Sequence, residues 1–116
     1  MVANERLICA ADALPEKGRG ARFDLPEYGE RATGFVIRHA GKVYGYVNRC
    51  AHLQVELDWQ EGEFFDATGD YLICATHGAC YHPATGLCAA GPCKGRALQA
   101  LKIEERDGGV YLLPGE

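Results

Sequence analysis

Residues 48–93 read NRCAHLQVELDWQEGEFFDATGDYLICATHGACYHPATGLCAAGPC and gather five of the six cysteines and three of the four histidines in a chain of 116 residues. Within this stretch, Cys50-Ala51-His52 and Cys74-Ala75-Thr76-His77 each set a thiol close to an imidazole, with 21 residues, Leu53 to Ile73, between the pairs. Each pair follows a run of β-forming residues, KVYGYV at 42–47 and YLIC at 71–74. The two pairs are therefore expected on loop tips at the ends of strands.

On either side the chain has the texture of an all-β fold. Its 15 glycines fall between short apolar runs and do not form a low-complexity block. Strands are expected at 6–9, 21–25, 34–39, 42–47, 71–74, 79–82, 98–105 and 109–113. Ala40-Gly41 and Asp107-Gly108 supply two hairpin turns able to take positive φ. The one helical candidate is AADALPEKGRG (10–20), a single turn capped by Asp12 and stopped by Pro15 and the glycines. No internal repeat or linker interrupts the pattern, which predicts one domain over residues 1–116 with a metal-binding subdomain at about 47–95. The longest stretch without an expected strand, 48–70, begins with the first Cys-His pair, and loops of that length are more often functional than idle.

Charge and hydropathy exclude several classes. Sixteen acidic and 12 basic residues give a net charge of −4, and the scattered Lys and Arg lack the basic footprint of a nucleic-acid binder. No apolar run approaches the roughly 18 residues of a membrane span, and MVANERLICA lacks the basic start and apolar block of a secretory signal. The expectation is a soluble cytoplasmic protein whose mildly acidic surface suits docking to a basic patch on another protein.

In a reducing compartment, cysteines spaced closely to histidines read as metal or cluster ligands. Two thiolates and two imidazoles suit either a zinc ion or an iron–sulfur cluster. Spacing separates them. A structural zinc knuckle usually needs about two to four residues between its ligands, and Cys50 and His52 have only Ala51 between them. A binuclear cluster removes that strain, because each loop then bridges two metals. The stretch resembles the Rieske ferredoxin family, whose signature is C-x-H, a gap, then C-x-x-H-G, matched here by CAHL (50–53) and CATHG (74–78). The resemblance runs from about Tyr46 to the C-terminus, and in the first third it rests on the strand pattern alone.

The resemblance implies a Rieske fold of antiparallel sheets with a subdomain formed by two loops, and one 2Fe-2S cluster. Cys50 and Cys74 would bind one iron, His52 and His77 the other, with Leu53, Tyr81 and Pro92 around them. Two ferric ions, two sulfides, two thiolates and two neutral imidazoles sum to zero charge, so adding an electron is easier than with four thiolates. The potential rises into a range of roughly −150 to +300 mV, against about −400 mV for all-cysteine plant-type ferredoxins. High-potential members carry a further disulfide between the two loops and a serine after the second histidine. The corresponding positions here hold Val55, Thr76 and Ala79, while Tyr81 matches the tyrosine that reaches a ligand sulfur. A low-to-middle potential follows. The gap between the motifs is longer than is usual in compact ferredoxins, with the excess in DWQEGEFFDATGD (58–70).

Other candidates have plainer readings. Trp59, Phe64 and Phe65 read as packing under the long loop. His39 reads as a solvent-exposed hairpin residue and His82 as a strand-end histidine. Cys80, Cys88 and Cys93 read as buried thiols, with Cys80 and Cys88 as cross-strand neighbours. Cys9 reads as a small apolar strand residue. The function implied is one-electron transfer from an NAD(P)H-linked reductase to an oxygenase or similar enzyme, with no substrate transformed by this chain. The alternatives are a small Rieske subunit of a larger redox enzyme, like those of nitrite reductases, and a zinc-stabilised interaction module.

Overall fold

The computed structural model describes residues 6–26, 29, 32–50, 56–58, 60, 62–74, 78–91 and 93–113. Among them the chain forms β1 (Arg6–Ala10), a 3-10 turn (Ala11–Ala13), β2 (Ala21–Asp24), β3 (Thr33–His39), β4 (Lys42–Val47), β5 (Leu72–Ile73), β6 (Cys80–Tyr81), β7 (Cys88–Ala90), β8 (Ala100–Leu101), β9 (Ile103–Arg106) and β10 (Gly109–Leu112). They assemble as three sheets, ordered β1-β10-β9, β2-β3-β4-β8 and β5-β6-β7. All the strand pairs are antiparallel, so the expected all-β architecture is present.

The two expected hairpins form where the turn chemistry placed them. At the β3–β4 turn, Ala40 (φ 53°) and Gly41 (φ 79°) take the left-handed conformations that match the twist of the strands. Alanine is not favoured there. The Glu16 carboxylate compensates by accepting the backbone N–H groups of both residues. Asp107 (φ 51°) and Gly108 (φ 77°) repeat the geometry between β9 and β10. Asp12 does not cap the 3-10 turn as expected; it lies inside the turn, and Ala10 occupies the cap position without a side-chain bond.

The four-stranded sheet is the centre of the molecule, and both its faces are covered. On β3, Phe35 and Ile37 pack into one core with Tyr46, Leu57, Phe64, Leu72, Tyr81 and Leu98. Val36, pointing the other way, packs with Leu14 and Val110. Leu25, Val47 and Leu112 extend that second side. Full burial of each such side chain contributes about 1.5–3 kcal/mol. Gly45 on β4 is required by this packing, because a Cβ there would lie 2.4 Å from Cγ1 of Ile103 in the facing sheet.

Two expectations are corrected. The apolar run at 98–105 is two strands. Ala100 and Leu101 pair with β4, the chain crosses at Lys102, and Ile103–Arg106 pairs with β10 in the facing sheet. A continuous β pattern therefore concealed a change of sheet. β7 has no expected range of its own, although Cys88 reads as lying across a hairpin from Cys80; the strand is short and Ala-rich, held by pairing with β6.

Candidate metal centre

Both cysteines of the paired motifs leave strand ends of the central core. After β4 the chain turns at Val47–Arg49, where the Arg49 N–H donates to the Val47 carbonyl at 2.8 Å, and Cys50 is buried. Cys74 follows β5 and is also buried. Its N–H donates to the Ala79 carbonyl at 2.8 Å, and its own carbonyl accepts the Gly78 N–H at 2.9 Å. These two bonds draw Cys74 and the Gly78–Ala79 backbone together, and Gly78 adopts φ 75°.

Tyr81 connects the two sides. It stands on β6 opposite Leu72, wholly buried, and its hydroxyl lies 3.2 Å from the Cys50 sulfur. Tyr46 supports the same wall by donating its hydroxyl to the Pro83 carbonyl at 2.6 Å; burial pushes its ionisation up beyond the ordinary range. Ala79, where high-potential relatives carry a serine, is a buried methyl and offers no hydrogen bond. His52, His77, Leu53, Pro92, Val55, Thr76 and Trp59 lie outside the described residues.

A polar clamp absent from the sequence reading holds the segment following the first motif. Asp58, with its side chain wholly buried, accepts Nδ2 of Asn48 at 3.0 Å and the Gly62 N–H at 3.0 Å, and its Oδ2 lies 3.6 Å from Nε of Arg22. Asn48 Oδ1 in turn accepts the Leu57 N–H at 2.9 Å. Arg22 and Thr33 both bond Glu56, at 2.6 and 2.8 Å. Both ends of residues 51–55 are thus tied to β2, β3 and the end of β4. The only sequence signal was an acid in a long loop, which usually means solvent.

Phe64 and Phe65 of the long loop pack as expected. Phe64 is buried and stacks on Phe35 with ring centroids 3.9 Å apart. Phe65 is partly buried against the same core. His39 is not the exposed hairpin residue expected: it is partly buried, its ring faces Phe65 at 6.2 Å, and its Nδ1 is buried without a hydrogen-bond partner. His82 is exposed beside Tyr71.

Of the remaining cysteines, Cys9 and Cys80 are free thiols as expected, and the expectation is overturned for Cys88 and Cys93. Cys88 and Cys93 form a disulfide, with Cα atoms 5.6 Å apart. Cys88 is not directly across from Cys80: it pairs with Tyr81, and a register shift sets Cys80 against Ala90. The disulfide closes the loop Ala89–Pro92. At its centre Gly91 (φ 93°) packs so tightly that a Cβ there would lie 3.0 Å from Cα of Ala79 and from the Gly78 carbonyl.

Two buried sulfurs, one facing a phenol, fit a metal centre. A thiolate buried in an apolar core is costly unless a cation neutralises it, and the Tyr81 O–H is placed to donate once Cys50 carries that charge. Residues 5–104 match the model of the Rieske [2Fe-2S] domain. A chain of the complex of reduced oxygenase and oxidized ferredoxin in carbazole 1,9a-dioxygenase has a similar structure, at 26% identity and a TM-score of 0.75, over 94% of this chain and 92% of that one. The ferredoxin of carbazole 1,9a-dioxygenase from Nocardioides aromaticivorans IC177 matches at 22% identity and 0.76, over 97% and 100%. The terminal oxygenase of that system matches at 17% identity and 0.78, over 97% of this chain but 30% of that chain. A search of curated protein sequences finds no match. The chain belongs to the Rieske [2Fe-2S] domain family. As a member of that family it binds one 2Fe-2S cluster and serves electron transfer.

Proposed function

We propose that this protein is a cytoplasmic ferredoxin of the Rieske type, which takes single electrons from an NAD(P)H-linked reductase and delivers them to a terminal oxygenase or similar enzyme, transforming no substrate itself. Cys50 and Cys74 hold one iron, and His52 and His77 hold the other. When bound, the cluster accepts and releases one electron at a potential well above that of all-cysteine centres. The residues of the chain then have separate tasks. Cys50 and Cys74 anchor the centre to the core, Tyr81 donates a hydrogen bond to the Cys50 sulfur, and the Asn48–Asp58 clamp orients the segment carrying His52.

The observation that carries this reading is the burial of Cys50 and Cys74 in one core beside Tyr81, each cysteine followed within three residues by a histidine. The likeness to a chain of the oxygenase–ferredoxin complex supports an electron carrier, and that complex supports the kind of partner. Among the described residues, no helix is long and apolar enough to cross a membrane. The test is electron paramagnetic resonance of the reduced protein, with iron, sulfide and zinc analysis. Two irons and two sulfides per chain with a rhombic reduced signal are expected. A colourless protein holding zinc, or an iron centre that survives His52→Ala with His77→Ala, would overturn the ligand assignment.

A further inference from the structure

The Cys88–Cys93 bond joins residues five apart in sequence, and a cross-link over so short a loop removes less freedom from the unfolded chain than a long-range one would. Its position is local and specific. Cys93 is buried and Cys88 is half-buried on β7, the outer strand of the small sheet. The loop between them presses, through Gly91, on the backbone of Gly78 and Ala79, the residues hydrogen-bonded to the backbone of Cys74. Structural disulfides are rare in a reducing cytoplasm, where those that form are commonly redox-active.

We propose that Cys88–Cys93 is a reversible dithiol–disulfide site, exchanged by dithiol reductants of the thioredoxin class, whose oxidised form clamps the loop against the cluster-binding segment. The effect on the cluster rests on the ferredoxin reading above; the exchange chemistry does not. The sulfur of Cys88, the less buried of the two residues, is the one attacked. The reductant's first thiolate bonds to it, the bond to Cys93 breaks, and the Cys93 sulfur leaves as thiolate and takes up a proton. The reductant's second thiol then displaces Cys88 as a thiol and becomes part of a disulfide itself. Two electrons and two protons have passed to the pair. Cys80 lies on the neighbouring strand, but burial and then the charge of Asp66 push its thiol up, so it stays protonated and does not open the bond from within.

The test uses the purified, cluster-loaded protein in buffers of set ratios of reduced to oxidised dithiothreitol, quenched with an alkylating reagent and read by peptide mass spectrometry. The expected result is that Cys88 and Cys93 become alkylated together in one two-electron transition without denaturant, while Cys50 and Cys74 stay protected. Bleaching of the visible absorption by an iron chelator should then run at least threefold faster in the reduced protein, and likewise in the Cys88→Ser, Cys93→Ser double variant. The wild-type arm needs no variant to fold. Alkylation of Cys88 and Cys93 before any reductant is added, a bond that opens only on unfolding, or equal bleaching rates in both states would overturn the proposal. Failure of the ferredoxin reading has a different mark: Cys50 and Cys74 are alkylated from the start and iron is absent, and the transition at Cys88 and Cys93 still decides the exchange site.

Discussion

The hydroxyl of Tyr81 lies 3.2 Å from the sulfur of Cys50, and both groups are shut away from solvent. A hydrogen bond to a ligand sulfur is stronger when the centre is reduced, because the sulfur then carries more negative charge. Tyr81→Phe removes the donor and keeps the ring, so we predict a lower midpoint potential. If the differential strength is about 1 kcal/mol, the drop is about 40 mV for a one-electron couple. Protein-film voltammetry measures it. An unchanged or raised potential in a variant with intact visible absorption would show that the phenol does not tune the centre.

The Asp58 carboxylate meets three partners at once, Nδ2 of Asn48, the Gly62 N–H and Arg22. Asp58→Ala removes this acceptor from the first two in a buried setting, while Arg22 keeps its bond to Glu56. We predict a loss of about 3 kcal/mol in urea unfolding, the usual scale for breaking a buried charged pair. Asp58→Asn keeps an acceptor and should lose less. Equal losses in both variants would assign the cost to the charge of the carboxylate, because Asn keeps its shape and one acceptor, and no loss in either would show that the clamp adds nothing to stability.

How much of this was legible beforehand depends on the range of the physics involved. The hairpin turns at Ala40-Gly41 and Asp107-Gly108 and the Cys-His pairs are encoded within a few residues, and each can be read locally. The switch of sheet at Lys102 cannot, because β8 and β9 carry the same local preference and differ only in their distant partners. The Arg22–Asp58–Asn48 clamp joins residues far apart in sequence, and each alone looks like an ordinary surface group. The cysteine pairing failed for a related reason. Cys88 and Cys80 look like neighbours across a hairpin, but the hairpin register, set by its turn, pairs Cys88 with Tyr81, and Cys88 bonds Cys93 instead.

Gly45 tests the packing of the central sheet against the facing one. A methyl group at this position would meet Cγ1 of Ile103 at 2.4 Å and Cδ1 at 2.7 Å, and Cγ1 of Val36 at 3.2 Å. The clash involves a β-branched side chain in an interior with little room to yield. Gly45→Ala should destabilise the protein by about 1–3 kcal/mol, and Ile103→Val in the same chain should recover part of the loss. Thermal unfolding of the single and double variants measures both. Additive losses would place Ile103 out of reach of the new methyl.

Arg38 and Glu105 form an ion pair whose contribution to stability depends on pH. Arg38 donates through both terminal nitrogens to the Glu105 carboxylate at 3.1 and 2.7 Å, and it also donates to the carbonyls of Leu14 and Ala11. The Arg38 hydrogen bonds hold the Glu105 carboxyl below its ordinary value of 4.5. The Gly41 and Ala40 N–H groups do the same to Glu16. A carboxylate whose folded pKa is lowered stabilises the protein at pH above its unfolded value, and that contribution is lost as pH falls through the folded value. We therefore predict that Glu105→Gln and Glu16→Gln unfold at lower urea concentrations than wild type at about pH 7. The gap should shrink below about pH 4.5 and close where the wild-type carboxyls are protonated. A gap that stays constant down to the acid limit would assign the loss to altered packing and remove the ionic explanation.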